Sequence, residues 1–293
     1  MAERVWTCKD ALAWTVEYLT RRGDEHPRRS AEWLLSAATG LSRVEIYALH
    51  DRPLSPHERM HYKELIERRA AGEPLQYVTG EMPFRHLIIH VERGVFIPRP
   101  ETEVLVDAVI DGLAGAGGPH VVDLCTGSGC VAVSIAHEIP TSQVWAIDAN
   151  EQAVAAARRN ALYAGVQNRV QVFHGDMFSS LMPELAGRLD AVVANPPYIP
   201  SAQVPDLPVE VLGFEPRLAL DGGPDGLREA RRIAEGAHRW LRPNGLLAME
   251  LASDRATAMA EEMRGSYEEV QVRQDLTGRD RIVVGRKREA SQR

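Results

Sequence analysis

The sequence predicts an α/β fold: an open, mostly parallel sheet with helices on both faces, joined to a small N-terminal helical domain. Three observations carry that expectation. From Pro100 onward, short β-rich apolar runs alternate with helical runs, the pattern of a parallel sheet whose crossovers are helices. Residues 1 to about 72 show helical periodicity alone. A glycine-rich turn, Gly127-Ser128-Gly129, follows the first strand of the alternating region, where such sheets bind ligands. The expected organisation is a helical domain over 1–72, a linker with a β-hairpin over 73–97, and the α/β domain over 98–288.

In the N-terminal region, Ala11-Trp14-Val16-Leu19 and Trp33-Leu34-Ala37-Ala38 recur at helical spacing. Ser55-Pro56-His57-Glu58 reads as a helix start running to Gly72: Ser caps, Pro suits the first turn, and Glu reaches back three residues later. Phe84 to Val95 is rich in β-formers, and Glu92-Arg93-Gly94 predicts the turn of a hairpin. Strands are expected at Val121–Leu124, Val144–Ile147, Val170–Phe173, Leu189–Ala194, Leu246–Leu251, Val270–Val272 and Ile282–Val284. Helices are expected at Val104–Leu113, Val131–His137, Ala153–Ala164, Leu227–Leu241 and Thr257–Arg264. Functional residues should then follow Leu124, Ile147, Phe173 and Ala194, beyond the carboxyl ends of the strands.

Composition narrows the class. The 293 residues are 44% hydrophobic and 26% charged, as in a globular protein. No apolar run approaches the roughly 18 residues of a membrane helix, and Met1 to Asp10 lacks a signal-peptide core, so a cytoplasmic location without membrane contact is expected; the sequence leaves the oligomeric state open, with a monomer favoured. Three cysteines, Cys8, Cys125 and Cys130, form no disulfide framework. Cys125 and Cys130 lack partners at zinc spacing, so buried small residues are preferred to a metal site. The net charge is −7, which weighs against direct nucleic-acid binding. Arg21, Arg22, Arg28 and Arg29 cluster among Asp24, Glu25 and Glu32 and read as a solvated helix surface.

In the loop Asp123-Leu124-Cys125-Thr126-Gly127-Ser128-Gly129, the glycines permit a tight turn and close backbone approach to a ligand. Gly127-x-Gly129-x-x-Ala132 also fits a dinucleotide fingerprint. Asp123 discriminates, because a carboxylate repels a pyrophosphate and attracts the ammonium and sulfonium of S-adenosylmethionine. Asp148 ends the second strand, where a carboxylate can accept from both ribose hydroxyls. Asp176 follows the third and could accept from an adenine amino group. Each acid alone could be a cap or turn former; three after three successive strands point to a ligand.

Asn195-Pro196-Pro197-Tyr198 follows the fourth strand. Its prolines stiffen the turn and remove two donors, leaving the Asn195 side-chain oxygen and the Pro196 carbonyl as acceptors beside the flat Tyr198 ring. Such an array suits a planar NH₂, in an amide or an adenine, whose delocalised lone pair must be oriented and made reactive. A plain proline turn is the alternative.

The chain resembles the release-factor glutamine methyltransferase (HemK/PrmC) family over nearly its whole length. The resemblance rests on Gly72-Glu73-Pro74-Leu75-Gln76-Tyr77 with Thr79-Gly80, Ile97-Pro98-Arg99-Pro100-Glu101-Thr102-Glu103, the cofactor loop, Asn195 to Pro200, Phe214 to Leu220, and Gly222-Gly223-Pro224-Asp225-Gly226-Leu227. It implies a helical substrate-recognition domain over 1–72, a class I, Rossmann-like methyltransferase domain with a seven-stranded sheet, and transfer of a methyl group from S-adenosylmethionine to the glutamine of the Gly-Gly-Gln motif in class I peptide-chain release factors. It implies cofactor contacts from Thr126, Gly127, Ser128, Gly129, Asp148 and Asn195, with Asn195 to Tyr198 holding the glutamine. Asp123, Cys125, Asp176 and Met177 are further expected to line the cofactor site, and Arg99 and Pro100 the substrate side; no metal is expected. Cys125 stands where many relatives have Gly, Met177 where some have Trp, and Ala252-Ser253 where a Gly-containing segment is expected. Alternatives are glutamine methylation of a ribosomal protein, adenine methylation of nucleic acid, and a non-catalytic dinucleotide-binding module.

Overall fold

A computed structural model describes residues 5–289 and divides the chain into two compact units. The first runs to Glu81 and takes in Val209–Phe214; the second holds Met82–Pro208 and the chain from Glu215 onward.

The first unit is helical: α1 Cys8–Arg21, α2 Pro27–Thr39, α3 Arg43–Ala48, α4 Pro56–Ala70 and α5 Leu75–Thr79. Reciprocal capping boxes set three of the starts, Thr7 with Asp10, Ser42 with Glu45, and the expected Ser55 with Glu58. Leu19, Leu34, Leu35, Ile46 and Leu65 form the core. The arginine cluster is a solvated face: Arg21 pairs with Glu17 at 3.3 Å, Arg28 with Glu32 at 3.2 Å, and Arg22 lies over Tyr18. Half-buried Arg69 bonds Asp24 at 2.7 Å and Glu210 at 2.8 Å, which ties the segment 209–214 to this unit.

A hairpin of β1 Glu81–Phe84 and β2 Leu87–His90 follows, but its turn is Arg85-His86, earlier than expected. The reason is tertiary. Arg85 takes a left-handed φ of 51°, and its guanidinium bonds Asp107 and Glu138, each at 2.7 Å, while its N–H donates to Glu103. Those partners lie on helices distant in sequence, which a local reading of β-formers cannot include.

The second unit continues with α6 Thr102–Gly112, β3 His120–Leu124, α7 Cys130–Glu138, β4 Gln143–Asp148, α8 Glu151–Tyr163, β5 Val170–His174, β6 Leu189–Ala194, the short α9 Val209–Leu212 (in the first unit), α10 Arg228–Trp240, β7 Leu241–Glu250, α11 Ser253–Met263, β8 Tyr267–Gln274 and β9 Asp280–Lys287. The seven-stranded sheet has the order β5-β4-β3-β6-β7-β9-β8. It is parallel from β5 to β7; β9 runs antiparallel to both its neighbours. The strand order reverses between β3 and β6, so a crevice opens beyond their carboxyl ends.

Candidate active site

Every residue lining the cavity at the carboxyl ends of β3, β4 and β6 belongs to the second unit. Among them are Asp123, Cys125, Thr126, Gly127, Ser128, Asp148, Asp176, Met177 and Asn195 to Tyr198, so the strand-end rule gathers nearly all the sequence-predicted residues at one place. Gly129 does not reach the wall. Its φ is 81°, and a Cβ there would lie 2.9 Å from the Ala157 Cβ, so it lets the loop lie against α8. Gly127, at φ 56°, opens onto space in which a Cβ would meet nothing within 4 Å. Arg99 and Pro100 do not line the cavity either; Arg99 sits over the Phe96 ring at 4.7 Å and pairs with buried Glu215 at 2.5 Å.

The loop is held by its own acids. Asp123 accepts from the Thr126 hydroxyl at 2.5 Å and the Ala132 N–H at 3.1 Å. Burial pushes its carboxyl up to about 7, although the Thr126 bond acts the other way. Each Asp148 oxygen accepts one backbone N–H, from Gly127 and from Asn150, both at 2.8 Å, and keeps lone pairs for a further donor. Burial raises the Asp148 carboxyl as well. Asp176 is joined at 2.6 Å to Arg232, which also bonds Glu229. Asn160, buried in α8, donates to the Ser128 carbonyl at 2.8 Å and exchanges bonds with the His90 backbone. It fastens the loop to the hairpin, a role with no short-range sequence signal.

Cys125 and Met177 both take left-handed φ, 56° and 51°. A side chain is strained there and glycine is not. Burial holds the Cys125 and Cys130 thiols neutral, Cys130 up to about 12, so both behave as small apolar groups.

Asn195 to Tyr198 is braced by the glycine segment that the sequence placed some 25 residues away. The Ile199 N–H donates to the Leu220 carbonyl at 3.0 Å, and the Gly222 N–H returns to the Ile199 carbonyl at 2.8 Å. A Cβ on Gly222 would lie 2.6 Å from the Pro197 oxygen, and one on Gly226 2.4 Å from the Tyr198 oxygen. Only glycine permits that approach. Burial pushes the Tyr198 phenol up to about 12, so the ring is a neutral wall and not a base at ordinary pH.

Two residues that the sequence reading did not assign complete the site. Thr102, at the start of α6, accepts from the Asn195 side-chain nitrogen at 3.2 Å. Glu250, the last residue of β7, is buried beside them, because β6 and β7 run in register with Ala194 opposite Met249.

Comparison with known proteins places this geometry. Residues 10–80 match the PrmC N-terminal domain and residues 88–210 the methyltransferase small domain. A release factor glutamine methyltransferase of Moorella thermoacetica is 44% identical over 285 residues, spanning 97% of this chain and 99% of the relative. The chain belongs to the release factor glutamine methyltransferase family. A second family member, from Geobacter sulfurreducens, is 42% identical across 96% of this chain and 97% of its own. The hMettl16 catalytic domain, solved with the MAT2A 3′UTR hairpin 6, shares the fold at TM-score 0.56 and 16% identity, covering 78% of this chain and 83% of its own. In family terms, the Ile97–Glu103 segment supplies Thr102 to the site, and Phe214–Leu220 supplies Glu215, the partner of Arg99.

Proposed function

We propose that this protein transfers a methyl group from S-adenosylmethionine to the side-chain amide nitrogen (N5) of the glutamine in the Gly-Gly-Gln motif of class I peptide-chain release factors. The observation that carries the reading is the braced Asn195-Pro196-Pro197-Tyr198 turn beside an acid-lined cavity, in a chain of this family. The cavity fits the cofactor: Asp123, Asp148 and Asp176 line it, the right sign for a ligand bearing two cationic centres, and Gly127 leaves space where a side chain would intrude. Thr126, Gly127, Ser128 and Asp148 would hold it, with Cys125 and Met177 as flanking walls. When bound, it supplies an electrophilic sulfonium methyl.

The protein's own part is to bind and orient the amide. The Asn195 carbonyl and the Pro196 carbonyl accept from the substrate NH₂, and Tyr198 closes one face. These acceptors are fixed before the substrate arrives, so little reorganisation opposes the reaction. We assign substrate recognition to the N-terminal helices, and place the enzyme in the cytoplasm as a monomer, where release factors act. Arg99 and Pro100 support this site from behind, through Glu215 and the start of α6, while the substrate meets the Asn195 turn.

Incubation with the cofactor and a purified release factor, followed by mass spectrometry, tests the reading. One added methyl on the Gly-Gly-Gln peptide is expected, with DNA and tRNA unmodified in parallel. Methyladenine beside an unmodified peptide would overturn it.

A further inference from the structure

Glu250 is 1% exposed, in a stretch where Met249 and Leu251 beside it are fully buried. An apolar side chain would fill that space without the cost of desolvating a carboxyl. Side-chain hydrogen bonding by Thr102 and Asn195 favours its charged form. The Asn195 nitrogen also donates to the Thr102 hydroxyl at 3.2 Å, and Thr102 is itself 1% exposed. The second Glu250 oxygen, Oε2, is buried without a partner.

An asparagine amide presents a carbonyl at one end and an NH₂ at the other, in nearly the same shape. A hydroxyl cannot decide which end it faces, because it donates and accepts. A carboxylate only accepts, so it admits the NH₂ end alone. We propose that Glu250 is a positioning residue: with Thr102 it binds the NH₂ of Asn195 and thereby turns the Asn195 carbonyl toward the substrate amide. The inference rests on the function proposed above. If the amide were reversed, Asn195 would point donors at the donors of the substrate NH₂. Glu250 never touches the substrate; it acts through Asn195.

This role depends on charge. Burial pushes the Glu250 carboxyl up to about 7, with the Thr102 bond and Arg281 on β9 opposing and Glu101 before α6 assisting. Tyr198 and Cys130, which also feel the Glu250 charge, stay neutral, each pushed up to about 12. A protonated Glu250 gains a donor that can face the Asn195 carbonyl, so the orientation is enforced by the ionised form. The amide should therefore be less well ordered as pH falls through about 7, and the rate should fall with it.

The test uses full-length enzyme and Glu250→Gln, which keeps size and removes charge. Expected are a kcat on release factor lower by roughly thirtyfold, cofactor affinity within about twofold of wild type, and loss of the acid limb from the kcat profile. A second readout needs neither substrate nor turnover: the ¹⁵N–¹H₂ signals of the Asn195 side chain. In wild type they should titrate near pH 7; in Glu250→Gln they should not. A variant kcat within about threefold of wild type, or wild-type Asn195 signals unmoved between about pH 6 and 8, overturns the proposal. If Glu250→Gln fails to fold, the wild-type titration decides alone. If wild type does not methylate release factor while its Asn195 signals titrate, the functional reading fails and the positioning role stands.

Discussion

Gly222→Ala isolates the contribution of backbone bracing to catalysis. The new methyl would lie 2.6 Å from the Pro197 oxygen, 2.8 Å from the Tyr198 Cα and 2.9 Å from the Gly226 oxygen. All three are backbone atoms, so no flexible side chain can yield. The closest approach is about 0.8 Å short of the 3.4 Å at which ordinary contact begins. Overpacking of this kind costs about 1–3 kcal/mol, which at roughly 2–4 °C per kcal/mol for a domain of this size lowers Tm by about 2–12 °C. The larger consequence is displacement of Pro197 and Tyr198, since a misplacement near 1 Å can cost roughly a hundredfold in rate. None of the three atoms that the new methyl would crowd belongs to the cofactor loop, so cofactor affinity should be unchanged. Gly117→Ala is the control: a Cβ there meets nothing within 4 Å. Thermal melts, calorimetric cofactor titration and kcat on release factor check all three expectations. A Gly222→Ala enzyme with wild-type kcat would show that the Asn195 turn is fixed by something other than the glycine segment.

Asp148→Ala should weaken cofactor binding by more than tenfold, since two charge-assisted bonds of about 1.5–3 kcal/mol each are lost; equal affinities by calorimetry would refute the assignment. Asn195→Ala should lower kcat by roughly a hundredfold or more and cofactor affinity far less, as read by single-turnover methylation beside cofactor titration. Thermal stability should rise as pH falls from about 8 to 5: Asp123 and Glu250, both pushed up to about 7, contribute stability that is complete below their unfolded values and lost as pH rises through 7. His238, lowered by burial, opposes them, and Asp275, held at about 2, matters only in stronger acid; melts in which Asp123→Asn leaves this slope unchanged would sink the account. The second unit alone should fold and bind cofactor while losing activity on whole release factor, but it must begin at Met82 rather than residue 98, because the His90 backbone is bonded to Asn160 and through it to the cofactor loop; equal activity of truncated and intact enzyme on release factor would remove the recognition role of the helices.

The parts of this protein legible in its sequence were those encoded over a few residues. Ser55 and Glu58 announce a helix start because both halves of the capping box lie within one turn. The acids after successive strands could be placed in one cavity without coordinates, because parallel sheets put the carboxyl ends of their strands on one edge. The hairpin turn is hidden from a local reading because Arg85 is held in its left-handed conformation by Asp107 and Glu138, far along the chain. The bracing of Pro197 by Gly222 was equally hidden: each motif could be read, but not that one lies on the other.

Glu250 shows why the remainder escaped. In sequence it is a lone acid ending an apolar strand, beside Ala252-Ser253, and nothing local separates it from a surface carboxylate. Its meaning comes from register: Ala194 opposite Met249 sets Asn195 and Glu250 side by side at the ends of parallel strands, and the start of α6 brings Thr102 to Asn195. An amide needs an unsymmetrical environment to keep one orientation, and a buried carboxylate is the side chain that supplies acceptors without donors. The cost of burying it is the cost of that asymmetry. A fold that bound the same substrate with Asn195 free to turn would spend part of its rate in the reversed state. The family-specific segments and the lone acid therefore form one device, built around the direction in which a single amide points.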